Sequence, residues 1–354
     1  MMFDLLLPIA GVWINLGAVA CVGLLIGFVS GLFGVGGGFL MTPILIFLGV
    51  PPSIAVATGS AQLVASATFS TTVAARQRMI DPQLSAFLIG GALTGTLIGI
   101  VIFNMLSRIG RLDVVIGVSY VVLLGIVGGL MLKESVASIR TQHIARDEAP
   151  AENKLQRWLT QLGFQYYFPN IGLSISLAPL IGISIIIGTI GTVLGVGGGF
   201  MFVPALIYFF RLPTRSAVVA SQVQILVTMV AATILHAVYN HAIDVVLAAP
   251  LILGGVFGSH LGTLAARIVS GATFRLALAV LILMVAGRFL IGLIIASMDV
   301  GEKAQALHVS LSALPAWENW IALQASGNST VYGLSTACAA LLCGFLGARL
   351  FGRV

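Results

Sequence analysis

The sequence predicts an all-α membrane protein: a polytopic helical bundle of two homologous repeats, each carrying a half-helix or re-entrant segment behind a glycine break. Three observations carry that expectation. The 354 residues are 59% hydrophobic and only 8% charged, with a mean hydropathy of +1.11. A soluble domain usually carries about 25% charged residues, and no soluble core buries this much apolar side chain. The string GVGGGF stands at 34–39 and again at 195–200, each copy followed by a proline, Pro43 and Pro204. Around both copies the apolar runs follow the same order: span, glycine break, short piece, three more spans.

A helix needs about 20 apolar residues to cross a bilayer. Nine stretches qualify: 12–33, 54–75, 84–104, 114–132, 172–194, 216–238, 245–265, 274–296 and 331–350. The pieces 39–49 and 200–210 are shorter. At a rise of 1.5 Å, 11 residues reach roughly 16 Å, about half the hydrocarbon thickness, so they read as half-helices or re-entrant segments. The first apolar run has no basic stretch ahead of it and reads as a span rather than a cleaved signal peptide. The organisation expected is a first transmembrane repeat (1–132), a polar inter-repeat loop (133–170), a second repeat (171–296), a second polar loop (297–330) and an extra C-terminal transmembrane helix (331–354).

The halves align beyond the glycines. Gly59-Ser60 falls on Ala220-Ser221 without gaps. After a two-residue insertion RMID (78–81) falls on HAID (241–244), and Gly91, Gly95 and Gly99 on Gly254, Gly258 and Gly262. Internal repeats of this kind mark secondary transporter folds. Whether the repeats are parallel or inverted depends on whether each short piece crosses the membrane. The basic residues nearly balance between the two sides, so they set no orientation. The central loop gathers nine charged residues, and Trp158 and the Tyr166-Tyr167 pair suit the membrane surface, as Trp317 and Trp320 of the second loop suit an interfacial belt.

The net charge of +6 is spread thinly over loops, without the basic stripe that a polyanion needs, so the lipid bilayer is the partner and nucleic acid is not. Cys21, Cys338 and Cys343 lie in apolar runs without CxxC spacing and read as small packing residues.

A non-helical break at membrane depth is tolerated where it lines a cavity or is covered by protein. In GVGGG, Gly36, Gly37 and Gly38, and Gly197, Gly198 and Gly199, permit positive φ and close approach of a ligand. Each break then opens a helix whose N-terminal N–H groups attract anions. Two facing breaks would cradle an anion without lysine or arginine. The plainer alternative is tight helix crossing. On the helix behind each short piece, Ser60 and Gln62, then Ser221, Gln222 and Gln224, are uncharged donors for oxyanion oxygens, or else hydrogen bonds between helices. Asp81 and Asp244 open equivalent spans and suit helix caps, with gating or coupling as the functional reading. Arg76 and Arg78, with His241 opposite Arg78, would draw an anion to the mouth or anchor to headgroups. His236 and His260 lie in apolar runs, where a histidine suits proton coupling, although the first half has no match for either. The glycine triplets recurring every four residues read as helix-packing faces.

Catalysis finds no support. A serine protease drawn from Ser221 and His236 lacks its GxSxG elbow, and HExxH, a metal-binding acidic pair and GxxxxGK[ST] do not occur. No cofactor and no metal is expected.

GLFGVGGGFLMTPIL and its echo GTVLGVGGGFMFVPAL, with ATGSAQ and RMID, resemble the TauE/SafE sulfite-exporter family of transmembrane permeases over about residues 15–296. The resemblance implies a small sulfur-containing or carboxylate anion as substrate. It carries over to Gly34, Gly36, Gly37, Gly38, Pro43, Ser60 and Asp81, then Gly195, Gly197, Gly198, Gly199, Pro204, Ser221 and Asp244. Met79 and Ala242 stand where that family commonly has glycine, and a ninth span exceeds its usual eight. The expected activity is secondary transport of a sulfur oxyanion, sulfite or an organosulfonate, by alternating access, with protons as a coupling ion to be tested. The location implied is a bacterial-type inner membrane, crossed many times. An anion channel, or a permease for a non-sulfur carboxylate, is the alternative. Which anion moves, in which direction, and the oligomeric state are open.

Overall fold

The structure is a computed structural model that describes residues 4–7, 12–33, 36–140, 164–240, 242–265 and 271–297. The extra C-terminal helix expected at 331–354 and nearly all of both polar loops lie outside the described residues. A short hairpin, β1 (Asp4–Leu6) and β2 (Trp13–Asn15), leads into α1 (Leu16–Phe33). Next come α2 (Gly38–Phe47), α3 (Pro52–Arg76), α4 (Pro82–Arg108) and α5 (Leu112–Arg140). A second antiparallel hairpin, β3 (Gln165–Phe168) and β4 (Leu173–Ser176), precedes α6 (Leu177–Leu194). Then follow α7 (Gly199–Phe210), α8 (Thr214–Leu235) with a π turn at His236–Asn240, α9 (Val245–Ala265) and α10 (Gly271–Ser297).

The chain is a helical, polytopic membrane protein, with two small hairpins that the hydropathy pattern does not announce. Among the described residues six stretches are long and apolar enough to cross a membrane: Leu16–Phe33, Pro82–Arg108, Leu112–Lys133, Leu177–Leu194, Thr214–Asn240 and Val245–Ala265. Three of the nine stretches expected are not among these six. α3 is a 25-residue helix, but Thr58, Ser60, Gln62, Ser66, Thr68 and Ser70 make it too polar to qualify. α10 is a 27-residue helix in which Leu278–Leu293 is apolar. The ninth lies outside the described residues. α5 also runs on to Arg140, eight residues into the segment read as polar loop.

The described residues form two compact units. The first comprises, among the described residues, 4–7, 12–33, 36–43, 51–112, 164–240 and 242–265. Its helices are inverted in polarity relative to a soluble bundle. α4 buries Ser85, Gly91, Gly95, Thr96 and Gly99 and turns Leu97, Val101 and Met105 outward. In water that outer stripe would be an aggregation hazard, whereas in hydrocarbon it costs nothing. Small residues inside let backbones close up. α1 packs along α9, and α4 along α6. A Cβ on Gly23 would lie 2.7 Å from the Leu251 carbonyl oxygen, and one on Gly91 2.9 Å from that of Ile181. Gly27, Gly31, Gly95, Gly254, Gly258 and Gly262 all press on backbone of the facing helix. Three buried hydroxyls of α4 and α6 are satisfied within their own helices: Thr96 donates to the Ala92 carbonyl (2.9 Å), Ser184 to Leu180 (2.7 Å) and Thr192 to Gly188 (2.9 Å). Cys21 faces outward from α1, so it does not act as interior packing.

The second unit comprises, among the described residues, 44–50, 113–140 and 271–297. Here Tyr120 of α5 stacks on Phe289 of α10, with centroids 5.3 Å apart and planes 8° apart. Phe47 packs on Phe289 at 5.0 Å, and the Arg288 guanidinium lies 5.3 Å from the Phe47 ring centre. Val114, Val118, Val122, Ile126 and Leu130 form an exposed stripe along α5, one residue every four.

Candidate functional site

The two glycine breaks meet. Gly36, Gly195, Gly197 and Gly198 hold φ of +68°, +67°, +74° and +75°, a region that costs an L side chain about 1–2 kcal/mol. The Gly38 N–H donates to the Gly36 carbonyl (2.7 Å), and the Met201 and Phe202 N–H groups donate to the Gly198 carbonyl (2.9 and 2.8 Å). Each half-helix thus starts on its own break. Gly199 and Phe200 open α7, and Phe39 stands second in α2, positions whose N–H groups have no acceptor within a helix. Across the junction, a Cβ on Gly38 would lie 2.6 Å from the Val196 carbonyl oxygen. Phe39 and Phe200 stack behind it, centroids 4.9 Å apart.

What covers the junction is apolar. A Cβ on Gly197 would meet Ile225 at 3.2 Å and Leu63 and Met229 at 3.4 Å. Ile225 also abuts Gly36, and Leu63 abuts Gly38. Leu63, Ile225 and Met229 belong to one buried cluster with Ala67 and Ala232. Hydrophobic pattern gives no sign of their position, because a leucine over a glycine turn looks like any core leucine. Thr42 was also not foreseen. Its Oγ1 is buried without a partner among the described residues, 3.1 Å from where a Cβ on Gly195 would stand. A hydroxyl inside the first half-helix, opposite Val203 in the second copy, is the signal that would have found it.

The expected polar residues are all buried, and they serve the helix seams. Ser60 Oγ donates to the Ala57 carbonyl (2.6 Å) and lies 3.0 Å from Thr233 Oγ1, joining α3 to α8. Ser221 Oγ donates to the Val218 carbonyl (2.8 Å). Gln62 Nε2 donates to Ser66 Oγ (2.8 Å) and Gln224 Nε2 to Thr228 Oγ1 (2.9 Å), one arrangement made on two helices. In both glutamines Oε1 is buried without a partner among the described residues. Gln222 is buried beside them on α8.

Asp81 and Asp244 cap α4 and α9. Asp81 Oδ1 accepts from the Gln83 and Leu84 N–H groups, both 3.0 Å, and Asp244 Oδ1 from Val246 (3.1 Å) and Leu247 (3.2 Å). The Asp244 N–H donates to Thr58 Oγ1 (3.2 Å). Arg76 is exposed at the end of α3. Arg78 lines a cavity of about 530 Å³ together with Asp81, Asn170, Arg215, Ser216 and Ala220. Arg215 and Asn170 were not singled out from sequence, because the turn of a hairpin and the start of α8 are brought to Arg78 only by the fold. His236 is fully buried in the π turn, its Nδ1 2.9 Å from Asn240 Nδ2 and its ring edge-on to Phe103. His260 is exposed and edge-on to Phe69. His241 lies outside the described residues. Among the described residues no group of three or more metal-ligating side chains gathers.

Comparison with known proteins decides the lineage. Residues 19–289 match the family described as "Sulfite exporter TauE/SafE". The chain belongs to this family. It is 30% identical over 254 residues to "Probable membrane transporter protein YjnA" of Bacillus subtilis, covering 69% of this chain and 89% of the relative. It is 25% identical over 251 residues to "Probable membrane transporter protein YunE" of the same organism, covering 68% and 84%. A "Probable membrane transporter protein" of Xylella fastidiosa is 30% identical over 248 residues, covering 68% and 81%. No solved structure matches. The TauE/SafE profile spans both glycine breaks, both capping aspartates and every helix from α1 into α10.

Proposed function

We propose that this TauE/SafE chain is a secondary transporter that moves a small sulfur-containing oxyanion, sulfite or an organosulfonate, across a bacterial-type cytoplasmic membrane by alternating access. The observation that carries the reading is the direct apposition of the two breaks, Gly38 against Val196, with the first-turn N–H groups of both half-helices at the junction. Helix N-termini attract anions through their dipoles and free N–H groups, so a bound oxyanion needs no lysine or arginine here. The element order supports descent from a duplication. α1 and α6 are both 18 residues, α2 and α7 are 10 and 12, and a proline interrupts each short helix. In this account Leu63, Ile225 and Met229 close the junction, and their withdrawal opens it to one side. Ser60, Gln62, Ser221, Gln222 and Gln224 line the helices that move past each other. Arg76, Arg78, Asp81, His236, His241 and Asp244 are held as gating or coupling residues. Protons are the coupling ion to be tested.

Purified protein in liposomes tests this. Preloaded sulfite should accelerate uptake of labelled sulfite, whereas a channel shows no such trans-stimulation. Gly37→Leu, which drives a side chain into Ile26, should abolish both counterflow and thermal stabilisation by sulfite, which otherwise grows as RT ln(1 + [L]/Kd). Retention of both in a folded variant would remove the junction from the mechanism.

A further inference from the structure

The cavity beside Asp81 holds a polar group that helix capping does not use. Asp81 is 8% exposed, and its Oδ1 is fully engaged by two N–H groups of the first turn of α4. Its Oδ2 is buried and has no partner among the described residues. A buried carboxylate oxygen left unpaired costs more than an ordinary missing hydrogen bond, so its retention in a residue that lines a cavity points to a donor arriving from outside. The same wall carries two guanidiniums, Arg78 and Arg215, with the Asn170 amide and the Ser216 hydroxyl. The guanidiniums, amide and hydroxyl supply donors for anionic oxygens, and Asp81 Oδ2 is a charged acceptor with no hydrogen bond of its own among the described residues.

We propose that this cavity is a receptor for a small oxyanion that still carries one proton: its charged oxygens rest on Arg78 and Arg215, and its own O–H donates to Asp81 Oδ2. Hydrogen phosphate and hydrogen sulfite have that pattern. Sulfate and phosphodiesters have none to offer, and would set oxygen lone pairs against a carboxylate. Discrimination thus follows the ligand's proton rather than its size, since the cavity of about 530 Å³ admits all of them. The inference rests on the permease reading only for what happens to the anion next. Ala220, on the cavity wall, precedes Ser221 in α8, so a bound anion stands one residue from the interior.

The test is calorimetric titration of the detergent-purified full chain with inorganic phosphate and with sulfate, near neutral pH and at matched ionic strength. Phosphate should bind at least about tenfold more tightly than sulfate, the scale of one charge-assisted hydrogen bond. Asp81→Asn keeps the capping oxygen and replaces Oδ2 with an NH2 donor, so the preference should vanish or reverse while the helix stays capped. Arg215→Gln should weaken both ions. Glycerophosphoglycerol, a soluble stand-in for a lipid headgroup, should bind no better than sulfate. Equal affinity of the wild type for phosphate and sulfate, or an unchanged ratio in folded Asp81→Asn, would overturn the proposal, as would tight binding of the phosphodiester. Flux is read separately. Phosphate binding without any anion movement in liposomes defeats the permease reading and leaves this site standing, and the converse result does the opposite.

Discussion

Gly198 shows how much one hydrogen atom in place of a side chain decides. Its φ of +75° penalises any other residue, and a Cβ there would stand 2.8 Å from Ile187 Cγ2. Gly198→Ala should therefore lower the melting temperature measurably, with a loss above about 1–2 kcal/mol from the backbone conformation alone. The residues over the glycines should behave in the opposite sense for transport. Truncating Leu63 and Ile225 to alanine removes the apolar cover, and the double variant should raise the basal anion leak of liposomes severalfold. An unchanged leak would mean that these side chains only fill space. Doublet motifs in the sequence were enough to find Gly36–Gly38 and Gly197–Gly199. Leu63 and Ile225 could not be found that way, because nothing in an apolar string says which leucine will lie over a turn 25 residues earlier.

Helices α4 and α9 start and pack under the same rules, and both rules are testable. Asp81→Ala and Asp244→Ala should each cost about 1 kcal/mol as lost caps, read as a fall in thermal stability. On α4, Gly95 presses into the backbone of α6, whereas Gly90 faces open space. Gly95→Ala should destabilise the protein or misassemble it, while Gly90→Ala should stabilise it by about 1 kcal/mol through helix propensity. Equal effects of the two would contradict the packing described. The every-four-residues glycine triplets were legible as packing faces because their spacing is itself geometric. The partner helix was not legible: α4 packs on α6 and α9 on α1, so each triplet faces the other half of the chain. The cavity at Arg78 was legible only in part for the same reason. Asp81 and Arg78 are three residues apart, but Asn170 and Arg215 come from elements that only folding brings near.

Helices α4 and α9 turn large apolar residues outward and bury their small ones, and that pattern suits only one solvent. Exposed Leu97, Val101 and Met105 on α4 and Leu253, Phe257 and Leu261 on α9 would be covered by acyl chains. Moving the protein from detergent into liposomes should slow proteolysis of the helices while leaving the loops open to cleavage. Hydropathy counts α3 as a span, and the structure makes it a 25-residue helix that buries Thr58, Ser60, Gln62 and Ser66, which a helix shielded by neighbours can do.

The pairing of α1 with α9 and of α4 with α6 has a consequence in time. A ribosome that has released residues 16–140 has made the glycine faces of α1 and α4, yet neither face can close on anything. The α4 groove waits for α6, and the α1 ridge waits until residue 262 has entered the membrane. The early helices must therefore stand side by side in lipid as loose companions, and these seams close only once α6 and α9 have been made. A chain that stalls midway should be open to membrane proteases throughout, and one that reaches α9 should escape them.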